Sequence, residues 1–461
     1  MSAPKFSNPF APLNLTLEAE QQLSELADLF VSEAVAQYEH YLYQEKRQLD
    51  PARWKFLKQR EDVRVYRERS QRSRAASQSQ ADRLARQSSR DSVSSSDAED
   101  FEQASSQQVN NPSDLPVMLT VGTLIGDLFD TMYGVVNPTL DMMRIKTSYV
   151  EDVVSNAAVL ATIKEPSLED PFRSLSVRWA VKGQPLHIRT IVKNRDMVYL
   201  ESTGLSRLPS TGETVGYQLL HSVSFPQTPS LDNATRGNIS ICAVYKQHKD
   251  GIVDVYVRGF LDPTGRIMRA LVIKSATDVM ISVGRNIVCA HLKKLAYALR
   301  RRNNPVIQNS AYDERLQLRN EHKSHRVQDA KKCSICEKGL SSLGALTFGK
   351  KSPAVQCRLC LQTVCSTCRV KKTLSSIAPH DNFLYQQTIP FCLLCVTAVT
   401  RANAFEIACD EVTQKDAPLG YGMSITSSLS STTYSDSFED AVSNYSYGSP
   451  MPHSQVVASG E

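Results

Sequence analysis

Eight of the 11 cysteines fall between Cys333 and Cys395, in four Cys-x-x-Cys pairs: Cys333/Cys336, Cys357/Cys360, Cys365/Cys368 and Cys392/Cys395. Two thiolates two residues apart can both reach one tetrahedral Zn²⁺, so four pairs supply two closed four-cysteine sites. A closed site of this kind is structural, because no position is left for water or substrate. The segment spans 63 residues and has little apolar content, so metal must supply its folding energy. Chance clustering of inert core thiols is the competing reading, and the fourfold repetition of one spacing argues against it. Cys242 and Cys289 stand in apolar periodic segments and read as core residues. Cys409 lies outside the pattern.

No pattern for catalysis accompanies these cysteines. The sequence offers no metal site with an open position, no glycine-rich phosphate cradle and no nucleophile elbow. His187, His221, His248 and His291 are scattered. The expected protein is not an enzyme.

The chain has 461 residues, 41% apolar and 22% charged, with a net charge of +5. That length suggests about three domains, and that charge is too mild for a nucleic-acid binder. The N-terminus "MSAPKFSNPF" has no apolar stretch of signal-peptide length, so secretion is not expected and clustered cysteines point to metal rather than disulfides. Composition is uneven. Ser and Gln fill 20 of the 44 positions from Ser70 to Ser113, which predicts a disordered insert. The tail 416–461 lacks Lys and Arg and is rich in Ser, and it too is expected to be disordered.

The remaining segments are patterned. Leu23, Leu26, Phe30, Ala34, Tyr38 and Tyr41 recur at helical spacing and predict a helix over 16–47, with Thr16 as N-cap. Trp54–Ser70 alternates as a strand or strand pair. "VMLTVGTLIGDLFDTMYG" reads as a strand and a short helix. "NPTLDMMRIKTSYV" reads as a second short helix, with Asn137 as N-cap and Pro138 as its first residue. Strands are expected at 157–164, 172–182, 186–193, 197–203, 214–223, 238–247 and 252–261. Asp250-Gly251 is a two-residue hairpin signal. Ile239, Ile241, Ala243 and Tyr245 alternate before it, and Val253, Val255 and Val257 after it. The spacing predicts an antiparallel sheet with one apolar face and one wet face carrying Asp254, Tyr256 and Arg258. A long amphipathic helix from about Ser275 to Arg302 is the natural cover for the apolar face. A sheet gripping a long helix encloses either a solid core or an apolar cavity suited to a lipid-like ligand.

The phrases "WKFLKQREDVRVYRER", "MMRIKTSYVEDVVSNAAVLATI", "FRSLSVRWAVKG", "RDMVYLESTG", "GYQLLHSV" and "DVYVRGFLDP", closed by the long helix, resemble a START domain over residues 15–302. The resemblance implies a helix-grip fold that holds one lipid or sterol under its C-terminal helix. The cysteine segment has its own resemblance. Its core, Cys357-Arg358-Leu359-Cys360, four residues, Cys365, two residues and Cys368, followed by "RVKKTL", is similar to a FYVE finger. That resemblance implies interleaved ligation: Cys333, Cys336, Cys365 and Cys368 on one Zn²⁺, and Cys357, Cys360, Cys392 and Cys395 on the other. It also implies a peripheral place on an endosomal membrane. The segment departs from the FYVE pattern at "RVQDAKK" before the first cysteine, at "KKSPAVQCR" where a double-His stretch belongs, and at "PFC". The side chains that give charge-assisted bonds to the 3-phosphate headgroup are gone. Lys350, Lys351, Arg358, Arg369, Lys371 and Lys372 remain for undirected contact with an anionic lipid surface.

The sequence therefore predicts an α+β protein: a disordered N-terminus (1–14), a START-like helix-grip domain (15–302, with 70–113 as insert), a linker (303–332), a cross-braced double-zinc module (333–400) and a disordered tail (416–461). Its expected role is lipid binding in the cytoplasm, with the zinc module contacting an anionic membrane or a protein partner, and no nucleic acid. The alternative is a zinc-finger scaffold or ubiquitin-ligase-type interaction module with no lipid ligand.

Overall fold

The computed structural model describes residues 6–69, 117–150, 154–183, 193–264, 269–303, 332–340, 354–377 and 383–415. The insert 70–113, most of the strand expected at 186–193, the interior of the linker 303–332, Lys350, Lys351 and the tail 416–461 lie outside the described residues.

The first helix, α1 (Leu17–Tyr43), starts where its cap places it. The Thr16 side chain accepts from the Ala19 N–H at 3.2 Å, and Glu18 and Glu20 complement the dipole. It ends before the expected residue 47, because Lys46 and Arg47 adopt φ of 49° and 61°. A right-handed helix cannot run through such residues. Ahead of it, Phe10 meets the Trp179 ring edge-on at 5.6 Å and Leu13 is buried, although the sequence reading counted 1–14 as disordered.

Ten strands form one sheet. They are β1 (Trp54–Arg60), β2 (Val63–Glu68), β3 (Met118–Ile125), β4 (Val154–Lys164), β5 (Ser174–Lys182), β6 (Asn194–Arg207), β7 (Thr214–Ser222), β8 (Ala234–Arg236), β9 (Asn238–Lys249) and β10 (Ile252–Asp262). The order is β1-β2-β3-β10-β9-β7-β6-β5-β4, antiparallel along that path, and β8 joins β6 in parallel. Gly251, at φ 71°, turns β9 into β10 at the expected Asp250-Gly251.

Four helices belong to this sheet's apolar side: α2 (Leu128–Val135), α3 (Leu140–Val150), α4 (Arg269–Ile281) and α5 (Asn286–Asn303). Two sequence expectations need correction here. The cap of α3 is Thr139, whose Oγ1 accepts from the Met142 N–H at 3.2 Å. Asn137 is instead buried beside Arg178. The single helix expected over 275–302 is two helices joined by a 3-10 turn at Ser282–Arg285. Gly284 lies in that turn, where its poor helix propensity favours a break.

The sheet is buried on both faces, which corrects the expectation of a wet side. On one face Ile241, Ala243, Val255 and Val257 meet Ala276, Met280, Ile287 and Ala290 of α4 and α5. On the other, Cys242, Val244, Leu200 and Tyr256 meet Ala27, Val31, Val35 and Tyr38 of α1. Asp254 signalled water in the sequence but is 2% exposed. Arg47 grips both its oxygens at 2.7 and 2.5 Å, and the Tyr38 hydroxyl donates to it at 3.0 Å. A bidentate partner makes burial of a carboxylate tolerable.

The cysteine-rich segment contributes β11 (Val355–Gln356), β12 (Thr363–Val364), β13 (Arg369–Ile377), β14 (Leu384–Cys392) and α6 (Leu393–Thr400). A last helix, α7 (Ala404–Lys415), was not foreseen from the sequence. It places Ala404, Ile407 and Ala408 in the sheet-and-helix core. The Tyr133 hydroxyl and Arg300 donate to Glu411 at 2.9 and 2.5 Å, and Arg301 pairs with Asp410.

Gly134 marks a close helix crossing. A Cβ there would sit 2.0 Å from the backbone oxygen of Asn286, the first residue of α5. Gly134→Ala should therefore force α2 and α5 apart and cost about 1–3 kcal/mol, the usual range for overpacking. Urea unfolding checks this, and an unchanged midpoint would contradict the close packing.

Candidate functional site

Two sites stand out: a cavity and a pair of thiol clusters. The cavity, about 140 Å³, lies between the sheet and a roof made by α3 and the α4–α5 turn. Ala180, Met197, Leu220, Ile241 and Val257 form the apolar floor, and Met143, Val150, Met280 and Val283 the roof. One wall is polar, with Asn137, Glu201 and Gln218. Strand alternation explains the mixture, since β5 and β6 each present every second residue to this side.

The polar wall is tightly paired. Glu201 accepts from Arg178 Nη1 at 2.5 Å and from Gln218 Nε2 at 2.7 Å. Arg178, 1% exposed, also donates to the Asn137 backbone oxygen at 2.8 Å. Above the wall, Lys146 donates to the Val135 oxygen at 2.7 Å and Lys293 to the Tyr133 oxygen at 2.5 Å. Burial pushes the Lys293 ammonium pKa down, and the carbonyls with the Tyr133 ring at 4.1 Å shelter its charge. No sequence pattern singled out these residues. Arg178 and Glu201 stand diagonally across the paired strands β5 and β6, and only that register could have paired them.

A cavity of 140 Å³ matches the size of an engineered cavity of about 150 Å³ that takes benzene. That volume suits one small apolar group. A whole lipid needs the ~300–1,000 Å³ of an ordinary ligand site, and hence a displaced roof.

The eight cysteines gather into two sets, Cys333, Cys336, Cys365 and Cys368, and Cys357, Cys360, Cys392 and Cys395. These are the sets the FYVE resemblance implies. Within each, the ligand atoms lie inside 4.8 Å of one another. Cys336 Sγ is 3.6 Å from Cys365 Sγ, and Cys360 Sγ is 3.8 Å from Cys392 Sγ. A tetrahedron with zinc–sulfur bonds of about 2.3 Å has edges of about 3.8 Å, so the thiols fit the ion.

Local backbone geometry prepares both sets in the same way. After each leading pair, Glu337 and Leu361 turn the chain at φ 58° and 57°. Their N–H groups return to the oxygens of Cys333 and Cys357, each at 2.9 Å. Leu359 N–H points at Cys357 Sγ (3.4 Å), Cys365 N–H at Cys333 Sγ (3.4 Å) and Cys395 N–H at Cys392 Sγ (3.3 Å). Donors aimed at sulfur favour the thiolate that a metal requires. Cys242 and Cys289 are buried core residues, and burial raises the Cys242 thiol to about 12.

The expected lipid-contact cations are partly brought together. Arg369 and Lys371 alternate onto one side of β13, while Lys372 takes the other. Arg358 is exposed, and its N–H donates to Pro390, the β14 partner of Lys371. Arg358, Arg369 and Lys371 thus share one end of the module.

No family model matches the chain, and no curated protein matches it. Solved structures do. Human StAR-related lipid transfer protein 5 aligns at 14% identity over 60% of this chain and 99% of that one, with a TM-score of 0.36. Human STARD10 aligns at 14% identity over 54% and 79%, with a TM-score of 0.32. The lipid transfer and protein localization domain of human StarD13 (DLC2) aligns at 11% identity over 55% and 95%, with a TM-score of 0.32. At such scores the fold description rests on the strand order and helices set out above. No described helix is long and apolar enough to cross a membrane.

Proposed function

We propose that the chain is a non-enzymatic lipid-binding protein whose cysteine-rich module holds two Zn²⁺ and touches an anionic membrane. The observation that carries this is the apolar cavity with one polar wall between sheet and roof. Apolar lining with a few placed polar groups is the usual make-up of a site for a hydrophobic ligand bearing a polar end. Cys333, Cys336, Cys365 and Cys368 would hold one ion, and Cys357, Cys360, Cys392 and Cys395 the other. Zinc in such closed sites supplies structure rather than catalysis. The endosomal surface and a cytoplasmic location belong to the same proposal.

Native mass spectrometry of the full chain tests both halves. Two zinc ions and one co-purified or added lipid per chain are expected. Ala243→Phe, which fills the cavity floor, should abolish lipid retention while leaving zinc in place. A chain that takes up no lipid from a mixed extract would favour the scaffold reading.

Membrane contact should follow total anionic charge rather than one headgroup. Each cation near such a surface contributes about 1 kcal/mol, screened over about 8 Å at physiological salt. Lys371→Glu should weaken binding to phosphatidylserine vesicles several-fold without releasing zinc. Salt-resistant binding to phosphatidylinositol 3-phosphate alone would refute the charge-driven reading.

A further inference from the structure

The cavity roof and the thiol clusters meet at one residue, Ser375 of β13. Its Oγ lies 2.7 Å from Ser148 Oγ, and its backbone N–H donates to the Tyr149 hydroxyl at 2.8 Å. Ser148 and Tyr149 belong to the last turn of α3, and Lys146, Thr147 and Val150 around them line the cavity. Tyr149 is 5% exposed, and burial holds its hydroxyl near a pKa of about 12, so it stays neutral and free to accept.

What fixes Ser375 is the hairpin it sits on. β13 begins at Arg369, directly after Cys368 of the first set. β14 ends at Cys392 of the second set, and Arg369 pairs with Cys392 across the ladder. The open end of the hairpin is therefore tied to both clusters at once. An isolated two-stranded ribbon is marginal in water and needs such a tie. α3 also packs Ile145, Tyr149 and Val150 on Cys289 and Leu292 of α5, and Lys146 donates to the Val135 oxygen, so Ser375 adds its hold at the last turn. The buried residues of α3 are Met143, Arg144, Tyr149 and Val150, and two of these lie in the turn that Ser375 holds.

We propose that the metal-bound module is the clamp on the cavity roof. With both clusters filled, the β13–β14 hairpin holds the end of α3 down. When metal leaves, Ser375 loses its place and α3 lifts, opening the route to the cavity. This rests on the metal and lipid reading above.

Hydrogen–deuterium exchange of the full chain, with and without a zinc chelator, tests the clamp without any ligand. On metal removal, amides of residues 140–150 should lose about tenfold or more protection beyond whatever β6, β9 and β10 lose. In metal-loaded protein, Tyr149→Phe should loosen the same segment without changing zinc content. If that variant fails to fold, Ser148→Ala replaces it. Unchanged α3 protection after metal loss would overturn the proposal, as would equal loosening of α3 and the sheet. Release of a dansyl-labelled fatty acid should quicken in step with α3 exchange. Metal content is read separately, so a chain without zinc would fail the metal reading. A chain that never binds the probe would fail the lipid reading, while exchange still judges the clamp.

Discussion

Removing metal, by chelator or by Cys365→Ser, will melt the cysteine-rich module and also weaken the helix-and-sheet domain. From sequence, residues 303–332 read as a linker between separate units. The structure buries part of α5 beneath the module instead. Leu295 and Leu299, 0% and 5% exposed, pack in one cluster with Cys333, Cys357, Val364, Leu374 and Phe391. Exposing two leucines forfeits about 1.5–3 kcal/mol each, an upper figure because the unfolded chain already hides some of that area. The domain should remain folded but lose on the order of 3–6 kcal/mol. Thermal unfolding monitored through Trp54 and Trp179, with zinc measured on the same sample, decides this. Loss of both ions with an unshifted transition would show that the module merely rests on α5.

Glu201→Ala should be the most damaging single change in the cavity wall. It strands the Arg178 guanidinium, 1% exposed, without the carboxylate now 2.5 Å away. Breaking a buried pair from one side costs about 3–5 kcal/mol, whereas replacing both partners by apolar groups is often neutral. The double variant Arg178→Met/Glu201→Met should therefore be markedly more stable than Glu201→Ala. Urea unfolding of Arg178→Met, Glu201→Met and the double closes the cycle. Additive losses would mean that the two charges are held independently by Asn137, Ser176 and Gln218.

Much of this was legible in the residues. Cysteine spacing is a local, covalent signal, and Asp250-Gly251 demands its turn wherever it stands. Strands β4 to β7, β9 and β10 were expected from the sequence, whereas the three-residue β8 was not. Other features depended on distant partners. Asp254 reads as a surface residue until Arg47, 207 positions earlier, is brought against it. The helix break at Ser282–Arg285 hid inside a continuous apolar stripe, because Val279, Val283 and Ile287 keep helical spacing across it. The cavity wall was invisible, since Arg178 and Glu201 are charged residues in strands otherwise read for their apolar members. Helix α7 has only three core residues, too few for periodicity to announce it.

That last helix gives the fold an order in time. Tyr133 and Glu411 are 278 positions apart, and the bond between them joins α2, laid down early, to nearly the last described residues of the chain. A polypeptide emerges N-terminus first, at about 5–20 residues per second. α2 waits without Glu411 through more than half of synthesis, and the basic end of α5 waits without Asp410 for about a hundred residues more. Closing so long a loop costs entropy before any contact repays it. The core thus becomes complete only as the C-terminal segment arrives, and a nascent chain stalled before residue 404 presents the ribosome's surroundings with an uncovered apolar groove.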